Sequence, residues 1–370
     1  MSQKKLMLAL ALVATALISS ACSISTTNTG TATSVDSSFF GSADRGDTWR
    51  SLTNVPTVTG RADSIAEVSV NNLIMDPEDS KALYLASYDY GLYYTYNIAN
   101  GWNFVSGLPK ATINDIQVDP KAKCILYAAV ANIVYRSSDC SRTWTQVYYD
   151  NNAGVTVNTI AIDHYNSSNL YIGTSRGDII KTIDSGGSWR TIQRLTDGVT
   201  RLIISPLDSR LVFVATATNK IYSFKSNTNT NPADSADLEA NFLVDGWASL
   251  SDTLKDYDIG NSFKDIIVSK KDGKIFLATQ KVILRSDDNG NSWESIKLIQ
   301  SEKDAIINAI AVDPQDSNNL YYVTNTTFFR SSDAGATWTT KKLPTKRAGR
   351  RLLVDFNNPN VIYLGTKKIQ

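Results

Sequence analysis

The chain has 370 residues, of which 42% are hydrophobic and 20% charged, so it can bury a core of ordinary proportions. Its 37 basic residues nearly balance 36 acidic ones, for a net charge of +1. This balance argues against nucleic acid as a partner, because nucleic-acid-binding proteins carry clustered excess positive charge. One histidine and three cysteines are too few to predict a zinc cluster.

The N-terminal segment, residues 1–22, is typical of a bacterial lipoprotein signal peptide. Two lysines precede an apolar run, residues 6–18, which is too short to span a bilayer but suits a secretory signal. Small residues before Cys22 resemble a lipoprotein cleavage box, although serine replaces the usual leucine three positions earlier. Cys22 is therefore the predicted lipidation site, and plain secretion with cleavage after Ala21 is the alternative. Residues 23–37, rich in Ser and Thr, are predicted to form a flexible tether.

Seven tryptophans mark a repeated phrase, S/T-x-D-x-G-x-S/T-W, of which five copies are clear. Two further copies are reduced to Gly-Trp pairs at Trp102 and Trp247, and the second clear copy has Ser141 in place of glycine. The aspartates of the clear copies are Asp44, Asp139, Asp184, Asp288 and Asp333. Because they recur in unit after unit, we interpret these aspartates as acceptors that build turns rather than as catalytic groups.

A second phrase runs in step with the first. An apolar run ends in Asp or Ser, often before Pro, and an apolar-aromatic run such as Leu-Tyr-Ile-Gly-Thr follows. The phrase recurs every 42 to 44 residues, apart from one interval of 64 between Ser205 and Ser269. A period near 43 with several short strands in each unit is typical of propeller blades.

The predicted fold is an all-β, seven-bladed β-propeller that spans residues 38–370, with the tryptophan phrase on the turn between the third and fourth strands of each blade. The chain ends with two strands that no tryptophan phrase follows, and it begins after residue 37 with a phrase that no such strands precede. N-terminal strands should therefore complete the last blade, and this closure removes open sheet edges.

Cys124 and Cys140 are predicted to form a disulfide. They begin and end one strand pair of the second blade, whose turn lies midway between them. An exported protein permits the bond, and closing a loop of about 15 residues would stabilise the fold by roughly 3 kcal/mol. The alternative is a pair of free, half-buried thiols.

The two phrases together resemble the Asp-box (BNR-repeat) β-propellers. This superfamily includes sialidases, xyloglucanase-type glycoside hydrolases, sortilin-type receptors and photosystem II assembly and stability factors. Sialidases are six-bladed and carry an F/Y-R-I-P motif that is absent here. The xyloglucanase type matches the phrasing best, but its catalytic aspartates lie between two propellers. The resemblance to the photosystem factors implies an exported single propeller, sometimes lipid-anchored, that binds proteins without catalysis, although their G-W-x-x-G phrasing is missing here.

The chemistry-bearing motifs are few. The only histidine, His164, occupies a blade turn, no GxSxG elbow surrounds a serine, and no phosphate-binding loop is present. We therefore expect no catalytic residue, no metal and no cofactor. We interpret the protein as a non-catalytic, monomeric, lipid-anchored scaffold for a protein partner at the cell envelope. The alternative is a glycan-binding module or a glycoside hydrolase acting on an extracellular polysaccharide, which needs a carboxylate pair.

Polar residues begin the innermost strand of each unit, five positions before its Asp or Ser. We expect them to ring one mouth of the central channel, where they could bind a peptide or a sugar. The ring comprises Asn71, Asn114, Asn158, Thr200 and Asn308, with Lys264 and Arg350 at the two remaining positions. The alternative is that the asparagines cap turns.

Two further departures from the repeat are candidate sites. The long interval contains an acidic insertion, residues 225–261, which is either a binding element or a disordered loop without a binding role. The spacing of its acidic residues does not match that of a known calcium-binding loop. Residues 341–351 are basic at six of eleven positions and should lie on the same face as the ring. They could engage an acidic protein, an anionic glycan or lipid headgroups, or remain a solvated loop. The predicted partner-binding residues are Lys264, Lys341, Lys342, Lys346, Arg347, Arg350 and Arg351.

Overall fold

The structure is a computed structural model that describes residues 36–58, 63–226, 242, 244–299 and 306–369. The predicted signal peptide, the lipidation site Cys22 and nearly all of the tether lie outside the described residues. So do Asp234, Asp237 and Glu239 of the acidic insertion. Among the described residues, no helix combines the length and the hydropathy needed to cross a bilayer.

The described chain opens with strands of the last blade and a small hairpin. These are β1 (Phe39–Ser42) and β2 (Arg50–Ser51), then β3 (Asn54–Val55) and β4 (Asp63–Ser64). Blade 1 contains β5 (Ser69–Met75), β6 (Leu83–Tyr88), β7 (Leu92–Thr95), a 3-10 helix (Ile98–Asn100) and β8 (Asn103–Phe104). Blade 2 contains β9 (Ile113–Asp119), β10 (Ala122–Val130), β11 (Ile133–Ser137) and β12 (Thr145–Tyr149). Blade 3 contains β13 (Val157–Ile162), β14 (Leu170–Thr174), β15 (Asp178–Thr182) and β16 (Arg190–Arg194).

The remaining blades repeat this order. Blade 4 contains β17 (Val199–Ile204), β18 (Leu211–Thr216), β19 (Ile221–Ser226) and β20 (Val244–Ser249), which α1 (Ser251–Leu254) follows. Blade 5 contains β21 (Phe263–Val268), β22 (Ile275–Thr279), β23 (Ile283–Ser286) and β24 (Glu294–Ser295). Blade 6 contains β25 (Ala309–Val312), β26 (Leu320–Val323), β27 (Thr327–Ser331) and β28 (Thr339–Lys342). Blade 7 is completed by β29 (Ala348–Val354) and β30 (Ile362–Lys367).

The seven blades close into a ring, as the sequence predicts. The last sheet has the order β2-β1-β30-β29, so it pairs the N-terminal strands with the C-terminal ones. Phe40 lies opposite Leu364 in this pairing, and Thr366 Oγ1 donates to the Ser37 carbonyl at 2.8 Å. The innermost strand of each blade neighbours that of the next, and β29 neighbours β5. Blade 7 is thereby completed to four strands, like the other blades.

Burial differs between the second and the outermost strands of the blades. The second strand of blade 3, β14, is buried along its whole length, because each of its faces packs against a neighbouring blade. Its Leu-Tyr-Ile-Gly-Thr sequence supplies the branched and aromatic side chains that suit a strand covered on both sides. The outermost strand of blade 6, β28, is instead exposed at all four residues. Side chains of the second strands are therefore enclosed between blades, and those of the outermost strands are mostly solvated.

The tryptophan phrases form compact hydrogen-bonded turns. In the first, Asp44 Oδ1 accepts from Ser42 Oγ and from Thr48 N, each at 2.8 Å, while Thr48 Oγ1 donates to Oδ2 at 2.7 Å. These bonds, led by the one from the Thr48 side chain, lower the pKa of Asp44 to about 2. The same bonds occur at Asp139, Asp184, Asp288 and Asp333. These five carboxylates are thus occupied by their own turns.

The disulfide between Cys124 and Cys140 is confirmed. It lies beside the one clear phrase that lacks glycine, where Ser141 has a φ of 69°. A left-handed conformation costs a non-glycine residue roughly 1 to 2 kcal/mol. The covalent bond and a 3.1 Å hydrogen bond from Cys140 N to the Cys124 carbonyl hold that turn in place.

Candidate functional site

A cavity of about 300 Å³ opens at the end of the channel where the innermost strands begin. We call it the channel mouth. Six of the seven predicted ring positions line it: Asn71, Asn114, Asn158, Thr200, Lys264 and Arg350. The seventh, Asn308, is not among its lining residues, and its side chain donates to Asn325 Oδ1 at 2.7 Å.

Three of the ring asparagines, Asn71, Asn114 and Asn158, join neighbouring blades. Asn71 Nδ2 donates to the Ile113 carbonyl at 2.8 Å, and Asn114 Nδ2 donates to the Val157 carbonyl at 2.9 Å. Asn158 Nδ2 makes the equivalent bond to the next blade at 2.8 Å. Each amide therefore fastens the start of one innermost strand to the start of the next, rather than capping a turn of its own blade.

A second group of polar side chains, which the repeat pattern does not predict, lies deeper in the mouth. We call it the inner belt: Asn72, Asp115, Arg201, Asp265 and Arg351. All but Asp115 also line a cavity of about 370 Å³ on the far side, so the belt divides the channel. Each member stands one residue after a ring position, and the signal in the sequence is a polar or charged residue within an otherwise apolar strand.

Asp115 is the most enclosed carboxyl of the belt, with 1% of its surface exposed. Its Oδ1 accepts from Asn72 Nδ2 and from Ile116 N, and its Oδ2 accepts from Ile160 N, each at 2.8 Å. Burial is the largest influence on this group and raises its pKa, in spite of these hydrogen bonds and the nearby Arg201. Burial thus favours the protonated form of Asp115.

Asp265 lies between two guanidinium groups. Arg201 Nε is 3.7 Å from Asp265 Oδ1, and Arg351 Nη1 is 3.8 Å from Oδ2. Both distances exceed hydrogen-bonding range, so these are ion pairs without a direct hydrogen bond. Burial, followed by the neighbouring Arg350, lowers the pKa of Arg351 to about 10. Arg351 therefore lies inside the channel, and its assignment to a surface patch is corrected.

Lys264 and Arg350 stand at the rim of the mouth, each partly buried. Arg350 Nη2 donates to Tyr88 Oη at 3.2 Å, and Phe263 lines the same cavity. Burial and then the charge of Arg350 lower the pKa of Lys264. These two departures from the asparagine ring thus face the same cavity and repel each other.

Arg347 is a correction to the predicted partner surface. Only 3% of it is exposed, and its guanidinium donates to the carbonyls of Ala66 and Val68. It is also 3.7 Å from Asp36. This arginine ties blade 7 to the segment before blade 1, so a partner cannot reach it.

The rest of the basic segment does not form one patch. Lys341 and Lys342 lie on β28, the outermost strand of blade 6, and Lys341 Nζ is 3.6 Å from Asp47. Lys346 is exposed in the loop that leads to β29. The expectation of a single basic surface is wrong, because a fourth strand lies at the rim of a propeller and the next first strand lies at its axis.

No group of three metal-binding side chains is placed to hold an ion within the part of the chain that the structure describes. His164 lines a broad cavity on the far side of the channel, away from the mouth.

Several known proteins are similar to this chain. The family model described as Sortilin-Vps10 (Sortilin, neurotensin receptor 3) matches residues 281–370. A stretch of 79 residues is 39% identical to a xyloglucanase of Hypocrea jecorina (strain QM6a), covering 16% of this chain and 9% of that protein.

Solved structures are similar over most of the chain. A GH74 xyloglucanase from Xanthomonas campestris has a TM-score of 0.62 at 15% identity, covering 81% of this chain and 51% of its own. The GH74 enzyme of Niastella koreensis has a TM-score of 0.61 at 15% identity, with 80% and 51% covered. YCF48 bound to D1 peptide has a TM-score of 0.58 at 13% identity, with 82% and 94% covered. The chain thus spans about half of the GH74 structures and under a tenth of the curated xyloglucanase.

The chain is a seven-bladed β-propeller whose turns carry the repeated tryptophan phrase. Among propellers of that class, it resembles those of sortilin, the xyloglucanases and YCF48. Our expectation that the protein is not an enzyme is contradicted by this comparison, because the matched relative is a xyloglucanase and two of the similar structures are GH74 enzymes.

Proposed function

We propose that this propeller is a carbohydrate-active protein that binds an extracellular polysaccharide at the channel mouth, in the manner of a glycoside hydrolase. One observation carries the proposal: the mouth combines the rings of Tyr88 and Phe263 with amide, hydroxyl, carboxyl and guanidinium groups in one concavity. Sugars present apolar ring faces and many hydroxyl groups, so they need aromatic surface together with convergent donors and acceptors. The similarity to a xyloglucanase supports the same class of ligand.

Hydrolysis at this site would rest on Asp115 and Asp265. Glycoside cleavage requires one carboxyl that holds a proton and a second that is ionised. Burial raises the pKa of Asp115, which suits the role of acid. Asp265, which lies 3.7 Å from Arg201 and 3.8 Å from Arg351, would be the second carboxyl. Both carboxyls line the mouth, so a sugar bound there would lie beside them.

The test is a binding and hydrolysis assay with the mature protein and a panel of plant and bacterial polysaccharides that includes xyloglucan. We expect calorimetric binding of at least one polysaccharide and release of new reducing ends. Asp265→Asn should abolish reducing-end release while leaving binding within a small factor. Asp208→Asn, at an ion pair with Arg210 away from the mouth, is the matched control and should behave as the parent. Absence of binding to every polysaccharide would reject the proposal.

A second candidate is recognition of a peptide from an envelope protein. The observation that favours it is the similarity to YCF48, whose structure was solved with a D1 peptide bound. This chain matches 94% of the length of YCF48. Crosslinking in intact envelopes, with and without Lys264→Glu and Arg350→Glu, distinguishes the two. A protein partner lost on charge reversal, without saccharide binding, would favour the peptide.

We propose in addition that the protein is exported and anchored in the cell envelope by lipid on Cys22, from the sequence pattern of residues 1–22.

A further inference from the structure

We propose that the sugar bound at the channel mouth is anionic, a hexuronate whose carboxylate is held by Arg350 and Lys264. This inference rests on the proposed function and deepens it by specifying the charge of the ligand.

Positive charge is in excess at the channel mouth. Four cationic side chains line it, namely Arg201, Lys264, Arg350 and Arg351. The carboxyls of the same cavity are Asp115 and Asp265. Since burial favours the protonated form of Asp115, the negative charge that offsets the four cations is smaller than the count of carboxyls.

The arginines of the inner belt are incompletely satisfied. Among the described residues, Arg201 Nε and Arg351 Nη1 are closed to solvent and have no hydrogen-bond acceptor. Asp265 is near enough to attract both nitrogens but too far to bond to either. Because these two nitrogens are enclosed, they contribute a positive field, and the partly exposed Arg350 and Lys264 are the groups that a ligand can touch.

Elsewhere in the described part of the chain, a partly exposed arginine is neutralised by buried carboxylates. Arg176 lies between two carboxylates, 2.8 Å from Asp150 and 2.6 Å from Asp178. At the mouth the charge of Arg350 instead disfavours the charged forms of Lys264 and Arg351, in addition to the effect of burial. Like charges held together in a cleft destabilise the free protein, and an anion that enters the cleft removes this cost.

The chemistry around the cations favours a sugar acid over a bare inorganic anion. Tyr88 and Phe263 offer ring surface, and Thr112 and Thr200 offer hydroxyl groups at the same cavity. A volume of about 300 Å³ is at the lower end of small-molecule sites, which suits a short saccharide segment. A hexuronate presents a carboxylate, several hydroxyl groups and a ring face within one unit, and so can use all three kinds of group together.

The experiment compares matched ligands. Oligogalacturonate, oligoglucuronate and oligomannuronate are each titrated calorimetrically against the mature protein, beside the methyl ester of the same oligomer and a neutral cello-oligosaccharide. We expect at least one acid to bind roughly tenfold or more tighter than its ester, because esterification removes the charge and keeps the ring. Arg350→Gln should erase most of this preference, Arg350→Lys should retain part of it, and Lys342→Gln on the exposed outer strand should leave it intact.

The outcomes separate the two proposals. Equal binding of acid, ester and neutral oligomer overturns the anionic assignment and leaves the carbohydrate function standing. Failure of every saccharide, in a protein whose thermal unfolding is cooperative, rejects the carbohydrate function and the anionic assignment with it. A third outcome is that the uronates do not bind, whereas a peptide binds with a free C-terminal carboxylate but not as the amide. This result also overturns the anionic-sugar assignment and indicates that the cations bind a protein partner.

Discussion

Arg347 Nη2 donates to the Val68 carbonyl at 2.5 Å, across 279 residues of sequence. The same guanidinium donates to Ala66 and to Ser69 Oγ, so one side chain fixes the start of blade 7 to the start of blade 1. This contact supplements the strand pairing that closes the ring.

Replacing Arg347 with methionine should lower the free energy of unfolding by about 3 kcal/mol, because two enclosed carbonyls lose a charged donor. Urea denaturation monitored by tryptophan fluorescence measures the change. Lys346→Met, at the exposed neighbouring position, is the control and should leave stability within about 0.5 kcal/mol. A methionine variant at position 347 as stable as the parent would show that ring closure depends on the strands alone.

Arg350→Gln should stabilise the ligand-free protein by up to about 1 kcal/mol, even though it weakens ligand binding. The substitution relieves the repulsion of Lys264 and Arg351, at the loss of the hydrogen bond to Tyr88. Thermal unfolding at low and high ionic strength measures the effect, which salt should reduce. A destabilised variant whose stability does not respond to salt would contradict electrostatic repulsion among Arg350, Lys264 and Arg351.

Acid should destabilise the propeller between about pH 4 and pH 2. Hydrogen bonds, first from the threonine side chain of each turn, lower the pKa of Asp44, Asp139 and Asp333 to about 2, from an ordinary value of 3.8. A carboxyl whose folded pKa is depressed stabilises the fold above 3.8, and this contribution is lost as the pH falls through the folded value. The free energy of unfolding, measured by urea titration at a series of pH values, should therefore decline over this range.

Two adjacent aspartates allow a matched test of that mechanism. Asp288 accepts bonds from Ser292 and Ser286, which lower its pKa, whereas Asp287 beside it is exposed and pairs only loosely with Arg285. Asp288→Asn should reduce stability at neutral pH and flatten the decline toward pH 2. Asp287→Asn should do neither, and equal effects of the two substitutions would argue against a special role of the turn carboxylate.

Removing the disulfide by Cys124→Ala with Cys140→Ala should reduce the free energy of unfolding by about 3 kcal/mol. The loss should be visible as a lower midpoint in urea. Treating the parent with reductant should have a similar effect, whereas the double variant should not respond to reductant. A parent insensitive to reductant would mean that the turn at Ser141 holds without the bond.

Cys22→Ala should release the protein from the membrane fraction without changing its thermal stability. Lipidation of Cys22 is the only anchor that the sequence predicts, and the propeller strands begin at Phe39. Fractionation of cells that express the parent or the variant measures the difference. Retention of the variant in membranes would argue against lipid attachment at this cysteine.

The blade number, the closure of the ring and the disulfide could be predicted because each follows from the repeat. A period of about 43 residues fixes where strands and turns fall, and two cysteines at mirrored positions of one hairpin must meet. Backbone arrangement is what a repeat encodes.

The chemistry of the channel could not be predicted in the same way. Asn71 and Asn72 are neighbours in sequence, yet one bonds to the next blade and the other to the carboxyl of Asp115. Periodicity locates both residues but does not say toward which group each side chain turns. Arg347 and Arg351 cannot be distinguished within a basic run of sequence. The path of the chain from the rim to the axis places Arg347 in a contact between blades and Arg351 in the wall of the channel.

The pairing of β1 with β30 has a consequence for the life of the polypeptide in the cell. Phe39 and Phe40 leave the ribosome early, but the strand that covers them, Ile362–Lys367, is synthesised more than three hundred residues later. Until then the first aromatic strand lacks its partner and exposes an apolar, unpaired edge to proteases and chaperones. A prematurely terminated chain that lacks β30 keeps this edge unpaired, so closure of the ring depends on the last strand to be synthesised.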